Sequence, residues 1–185
     1  DGLLPMNFPS RMTQVSVPYT LCWVNMLRDR AMWRNERPFL EREFSGLSFT
    51  IDALARFENS EGFLVVLPGW SFSDYTPTWQ DGVAPDGGTS PRISAIENIQ
   101  YVKALQSAAY VASALGRTAR AAEWEEKSVR LGRALADRFW DDRRGLLADD
   151  EKHQHFSELG QSLAVMTGIL NGDRRLSVME GLENP

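Results

Sequence analysis

The chain has 185 residues, enough for one domain or for part of a larger one. At 43% hydrophobic and 24% charged residues it reads as a folded globular chain, and a net charge of −5 disfavours nucleic acid and anionic membranes as main partners. No stretch approaches ~20 consecutive apolar residues, and the single cysteine, Cys22, excludes an internal disulfide and a cysteine-rich zinc site.

After the segment Asp1–Pro18, a first helix is expected over Tyr19–Arg34, with Leu21, Cys22, Trp23, Val24, Met26, Leu27 and Met32 around most of its circumference. A second helix, Pro38–Glu58, is one-sided. Leu40, Phe44, Leu47, Ile51 and Leu54 form its apolar stripe, and Pro38 stands where a first-turn proline is tolerated. A third, Arg92–Leu115, carries apolar or small residues on nearly every side. Thr118–Phe139 is again one-sided: Ala121, Trp124, Leu131 and Leu135 face inward, and its run of charges reads as a solvated face. Ser157–Leu170 returns to the buried pattern. The order buried, amphipathic, buried, amphipathic, buried is that of helical hairpins with an inner and an outer member.

The connections are lopsided. Inner-to-outer links are short: Asn35-Glu36-Arg37, and Gly116-Arg117 with Gly116 suited to end a helix. Outer-to-inner links are long, 59–91 and 140–156, with short strands expected at Phe63–Leu67 and Gly145–Ala148. Loops that are long on one side of a helical array build its functional face. Here they all lead into inner-helix N-termini, whose free N–H groups favour oxygen-rich partners.

The segment PGWSFSDYTPTWQD (68–81) gathers Trp70, Phe72, Asp74, Tyr75, Trp79 and Asp81, followed by the flexible Gly82, Gly87 and Gly88. Aromatic planes beside carboxylates suit a sugar, stacking on its C–H face and accepting its hydroxyls; the competing reading is a plug for the end of the array, with Asp74 capping a turn. Tyr19, after Pro18, and Asn98 and Tyr101, in early turns, are placed to project toward a common axis, with core packing the equal alternative for Tyr101. Ser157-Glu158 reads as a helix cap with early acidic charge, or as a carboxylate facing the central cavity. His153 and His155 lack a third metal ligand, and phosphate-loop, G-x-S-x-G and H-E-x-x-H motifs are absent. No metal and no cofactor are expected.

Taken together, DGLLPMNFPSR (1–11), VPYTLCWVNMLRDRAMWRNE (17–36), LPGWSFSDYTPTW (67–79), ISAIENIQYVKALQSAAYVASALG (93–116), RFWDDRRGLLADD (138–150) and FSELGQSLAVMTGIL (156–170) resemble the catalytic domain of bacterial α-L-rhamnosidases, glycoside hydrolase family 78. The resemblance implies an all-α fold, a partial (α/α)6 toroid with short strands in its long loops. It also implies inverting hydrolysis of terminal α-L-rhamnose by an acid and a base, with a rhamnose-bearing carbohydrate as partner and neither nucleic acid nor membrane. The family's GW-x-F-x-DW loop appears as Trp70, Phe72, Asp74 and Tyr75, with tyrosine in place of the second tryptophan. Tyr19 likewise stands where relatives often carry tryptophan, and Leu159 where they often carry histidine; Glu158 and Gln161 fit the pattern. The substrate-binding set implied is Tyr19, Trp70, Asp74, Tyr75, Trp79, Asn98 and Glu158.

The family's acid motif, D-x-x-R-x-E-R followed by W-x-G-D, and its T-x-W-E-like base stretch have no match. Glu36-Arg37-Pro38 and Glu123-Trp124-Glu125 are superficial lookalikes. The start at Asp1, the stop at Asn184-Pro185 and five helices against a toroid's twelve lead to the expectation of a central portion of one six-hairpin domain, incomplete at both ends, with the acid and base in the remainder of the parent chain. The alternatives are a non-catalytic carbohydrate-binding toroid and a structural helical module.

Overall fold

The computed structural model describes residues 2–34, 36–65, 67–77, 79–85 and 92–183. Gly87, Gly88, Asn35, Val66, Asn184 and Pro185, which enter the expectations above, lie outside them. The elements are α1 (Val17–Arg34), α2 (Arg37–Ala55), a 3-10 turn (Gln80–Gly82), α3 (Ala95–Ala114), α4 (Thr118–Phe139), β1 (Trp140–Asp141), β2 (Leu146–Leu147), α5 (Glu158–Thr167) and α6 (Gly172–Glu183). The fold is all-α, with one two-residue antiparallel pair, β1–β2, inside a long loop.

Local chemistry sets the boundaries. α3 begins three residues later than its apolar pattern suggests because Ser94 caps it, accepting the Glu97 N–H at 3.5 Å. α5 stops at Thr167, short of Leu170, because Gly168 takes the left-handed conformation at φ 70°. Gly116, at φ 75°, turns the chain between α3 and α4 in the same way. α6 is the helix without a sequence expectation. Asn171 caps it through the Arg174 N–H, but Leu176 and Met179 are exposed and only Val178 is fully buried, so no clean stripe announces it. The expected strand at Phe63–Leu67 reduces, among its described residues, to a bridge between Glu58 and Leu64.

α3 is the centre of the fold. It packs against α1, α2, α4 and α5, and 14 of its 20 residues are buried. Parallel contacts fix its relation to the other inner helices. Ser107 bonds Asn25 and Tyr110 receives Arg28, the same offset of 82 residues in both cases, so α1 and α3 run side by side in one direction. Ala95 N–H meets the Asp149 carbonyl near the start of α5, and Gln106 reaches the Thr167 carbonyl at its end, so α5 runs the same way. The three inner helices thus begin at one end, where the long loops lie, and with α2 and α4 outside they form an arc of a helical toroid. α1 differs from α3 in exposing Met26, Met32 and Trp33, because only α2 and α3 pack against it among the described helices.

The loops are fastened to this arc by a repeated device. Asn98, four residues after the Ser94 cap, accepts the Leu64 N–H at 2.8 Å and donates to the carbonyls of Leu64 and Ser94, each at 3.0 Å. Gln161, four residues after the Ser157 cap, accepts the Leu147 N–H at 2.9 Å and donates to the Leu147 and Ser157 carbonyls. Thr20, four residues after Ser16, accepts the Leu4 N–H and donates to the Ser16 carbonyl. All three side chains are buried.

The charges of α4 do more than meet solvent. Arg120 pairs with Asp52 of α2, Lys127 with Glu58 at 2.5 Å, and Arg138 with Glu61 and Glu151. The steps of 7 and 11 residues keep these three cations on one edge of the helix, beside the buried Trp124. The more exposed of these pairs, Arg120–Asp52 and Arg138–Glu61, contribute ~0–1 kcal/mol each; the burial of Trp124 against Phe44 holds the outer layer far more strongly.

Candidate functional site

The aromatic loop closes over the start of α1. Gly69, at φ 78°, brings the chain so near that a Cβ would lie 2.0 Å from the Val15 carbonyl oxygen, and the Trp70 N–H then donates to that oxygen at 3.0 Å. The loop folds back on itself at Gly82, whose carbonyl accepts the N–H groups of Ser73 and Asp74 at 2.8 and 3.2 Å. Gly82 is required: its φ is 69° and a Cβ would sit 2.5 Å from the Phe72 ring. The Trp70 indole N–H is spent on the Asp81 carbonyl at 2.9 Å, which fixes the ring's plane.

Phe72 is the hub. Its ring centroid lies 5.0 Å from Trp70, 4.7 Å from Tyr75 and 6.3 Å from Tyr19, in tilted arrangements that favour edge-to-face attraction. Tyr19 and Tyr75 are 44% and 79% exposed, while Trp70 and Phe72 are half-buried, so the cluster is a supported aromatic surface. Asp74 is exposed beside it. One of its oxygens accepts the Tyr75 N–H at 2.7 Å, which leaves acceptor capacity facing solvent. Within this loop Phe72 packs, while Tyr75 and Asp74, together with Tyr19 of α1, are exposed.

The other expected site residues lie elsewhere. Trp79 is half-buried and packs against the core. Asn98 is 0% exposed, and its amide is taken by the Leu64 and Ser94 backbone, so it does not join the aromatic surface. These bonds turn its side chain to the loop. Tyr101 is fully buried and points outward, its hydroxyl donating to Glu58 at 2.6 Å; burial and that carboxylate push its pKa strongly up. Glu158 is exposed in the first turn of α5, at the same end of the arc as the aromatic loop. Leu159 packs partly buried against the core.

His153 bonds the Arg138 carbonyl and faces Asp141, while His155 pairs with Asp150. Among the described residues no three His, Cys, Asp or Glu side chains gather as a metal site, and no helix is long and apolar enough to cross a membrane. Trp124 faces the core and Glu123 pairs with Arg120, as expected of an outer helix. One residue that the sequence did not single out is Asp149. It is 1% exposed, and burial pushes its carboxyl up to about 6 against the bonds from Ser157 that pull it down. Its distance of eight residues from the Ser157 cap gives no periodic signal.

Two solved structures share this architecture. A family-78 rhamnosidase of Bacillus sp. GL1 superposes with a TM-score of 0.80 at 22% identity, over 96% of this chain and 18% of its own. A rhamnosidase from Klebsiella oxytoca with rhamnose bound superposes with a TM-score of 0.78 at 17% identity, over 100% of this chain and 34% of its own. The chain thus spans about a fifth and a third of the lengths of these two structures. No curated protein sequence matches it. The family model for the bacterial alpha-L-rhamnosidase six-hairpin glycosidase domain matches residues 1–182, and the chain belongs to that family.

Proposed function

We propose that this chain is the central portion of a six-hairpin glycosidase domain that hydrolyses terminal α-L-rhamnose, and that it supplies the recognition wall of the pocket. The observation that carries the reading is the ring cluster on Phe72, which presents Tyr19 and Tyr75 beside the exposed Asp74 at the loop-bearing end of the arc. Tyrosine faces take the apolar side of a sugar ring, and the Asp74 carboxylate accepts its hydroxyls. Glu158, at the same end, offers a second acceptor. Trp70 and Phe72 support the surface from behind.

The acid and the base of the inverting reaction are assigned to the parts of the domain outside these residues. The acid protonates the glycosidic oxygen while the base activates water on the opposite face, the two carboxyls standing roughly 6.5–9.5 Å apart. Membership of the family and the partial coverage of both rhamnosidase structures support this division.

The test is hydrolysis of an aryl α-L-rhamnoside by the complete parent protein and its Asp74→Ala and Tyr75→Ala variants. Turnover that falls at least tenfold in kcat/KM in both is expected; unchanged kcat/KM would remove the recognition role. Enzyme-like turnover by residues 1–185 alone would overturn the placement of the acid and base. Sugar binding without turnover in the complete protein would identify a binding module instead.

A further inference from the structure

Between the β1–β2 hairpin and α5 the chain passes through two buried carboxylates, Asp149 and Asp150. Asp150 is fully employed: it accepts the N–H groups of Lys152, Gln154 and His155 and pairs with the His155 ring at 2.8 Å. Asp149 is employed on one side. Its Oδ1 accepts the Ser157 hydroxyl at 2.9 Å, while Oδ2 is buried with no hydrogen-bond partner among the described residues.

Asp149 nevertheless touches both inner-helix starts. Its carbonyl accepts the Ala95 N–H at 3.0 Å, in the first turn of α3. Ser157, which donates to it, caps α5 through the Gly160 N–H at 3.0 Å. Gly160 has no side chain where Asp149 presses in; a Cβ there would lie 2.5 Å from Oδ1. The titratable groups facing Asp149 are Asp150 and His155 of its own loop, and the residues that α3 and α5 present to it, Ser94, Ala95, Ser157 and Gly160, have no titratable side chain.

We propose that Asp149 is the positioning residue of this end of the fold: it clamps the first turn of α5, and with it Glu158, to the start of α3, and holds them more tightly at acid than at neutral pH. The part concerning Glu158 rests on the sugar-site reading above; the clamp itself does not. The sign follows from burial, which favours the neutral carboxyl in the closed clamp. When the clamp opens, the group regains its ordinary value of 3.8, against about 6 when closed. The closed state therefore binds the proton preferentially between these values and loses that advantage as pH rises through about 6. The opening equilibrium grows by roughly a hundredfold across the window.

Hydrogen exchange of the Ala95, Asp149 and Gly160 amides in the complete protein reads this directly. After correction for the intrinsic pH dependence of exchange, their protection should fall by about 25-fold from pH 4.5 to 7.5. In Asp149→Asn the protection should become flat with pH. His155→Gln is the control, because its imidazole is a titratable neighbour of Asp149; the transition should survive it. Where Asp149→Asn fails to fold, Ser157→Ala serves instead: losing its hydroxyl bond should move the midpoint upward. A flat wild-type profile, a transition that persists in Asp149→Asn or vanishes in His155→Gln, or an unmoved midpoint in Ser157→Ala would each overturn the proposal. No sugar enters this measurement, so a failed hydrolysis test removes the role of Glu158 and leaves the clamp to stand or fall alone.

Discussion

Replacing Asn98 with alanine separates a loop anchor from a sugar ligand. Glu58 and Leu64 form a bridge whose flanking bonds run from Asn59 N–H to the Phe63 carbonyl and from Val65 N–H to the Phe57 carbonyl. Both backbone groups of Leu64 therefore point away from that ladder, and the Asn98 amide takes both. Leu64 and Asn98 are each 0% exposed, so water does not replace the lost bonds without local opening. Each buried orphan costs about 1–3 kcal/mol, which puts Asn98→Ala at roughly 2–6 kcal/mol in total. The Ser94 carbonyl retains the Asn98 backbone N–H at 3.2 Å and adds little to the loss. Urea denaturation should show a lower midpoint with an unchanged slope. Calorimetry on the complete protein should show sugar affinity reduced only as far as the folded fraction falls. A stability loss below about 1 kcal/mol, or a loss of affinity in a fully folded variant, would refute the anchoring argument.

Other substitutions probe the same architecture. Gln161→Ala removes the equivalent anchor from Leu147 and should also cost about 2–6 kcal/mol in urea denaturation, since it too orphans an N–H and a C=O. Phe72→Ala should weaken sugar binding in the complete protein although Phe72 is assigned no sugar contact, because three ring contacts worth ~0.5–1.5 kcal/mol each are lost; unchanged affinity would show that Tyr19 and Tyr75 hold their places unaided. Glu58→Ala leaves the buried Tyr101 hydroxyl without its acceptor and should cost about 1–3 kcal/mol, with Tyr101→Phe in the same chain restoring part of it. Gly160→Ala drives a methyl group into Asp149 and should lower the thermal midpoint, at a cost of about 1–3 kcal/mol.

The helical order and the lopsided loops were legible because apolar period and loop length are local signals. α4 begins and ends where its stripe does, at Thr118 and Phe139. The aromatic loop was legible as a place, since its composition is unusual, but the division of labour within it was not. Which ring packs and which stays exposed depends on the turn at Gly82 and the tie from Trp70 to Asp81, both tertiary. Asn98 was harder still. On a helix buried all round, the 3.6-residue period puts a polar residue on a flank without saying whether that flank meets the axis or a neighbouring loop. α6 escaped because its apolar residues are divided between the buried Val178 and the exposed Leu176 and Met179.

The repeated spacing explains how such long loops can form a defined surface. A helix start leaves N–H groups free at its first turn, and a long loop brings backbone groups with no sheet to receive them. At Ser94/Asn98 and Ser157/Gln161 one serine caps the helix, and the residue four positions on reaches back to the cap carbonyl and outward to the loop. The amide of Asn or Gln is suited to this because it accepts one bond and donates two, matching an extended residue's N–H and C=O as a neighbouring strand would. Ser16/Thr20 repeats the spacing with a hydroxyl, which accepts the Leu4 N–H and donates to the Ser16 carbonyl. The cost of ordering each loop is thus offset inside the helical arc, at its first turn. The exposed groups above these anchors, Tyr75 and Asp74 in the loop and Glu158 in the first turn of α5, are thereby left out of the packing that orders the backbone beneath them.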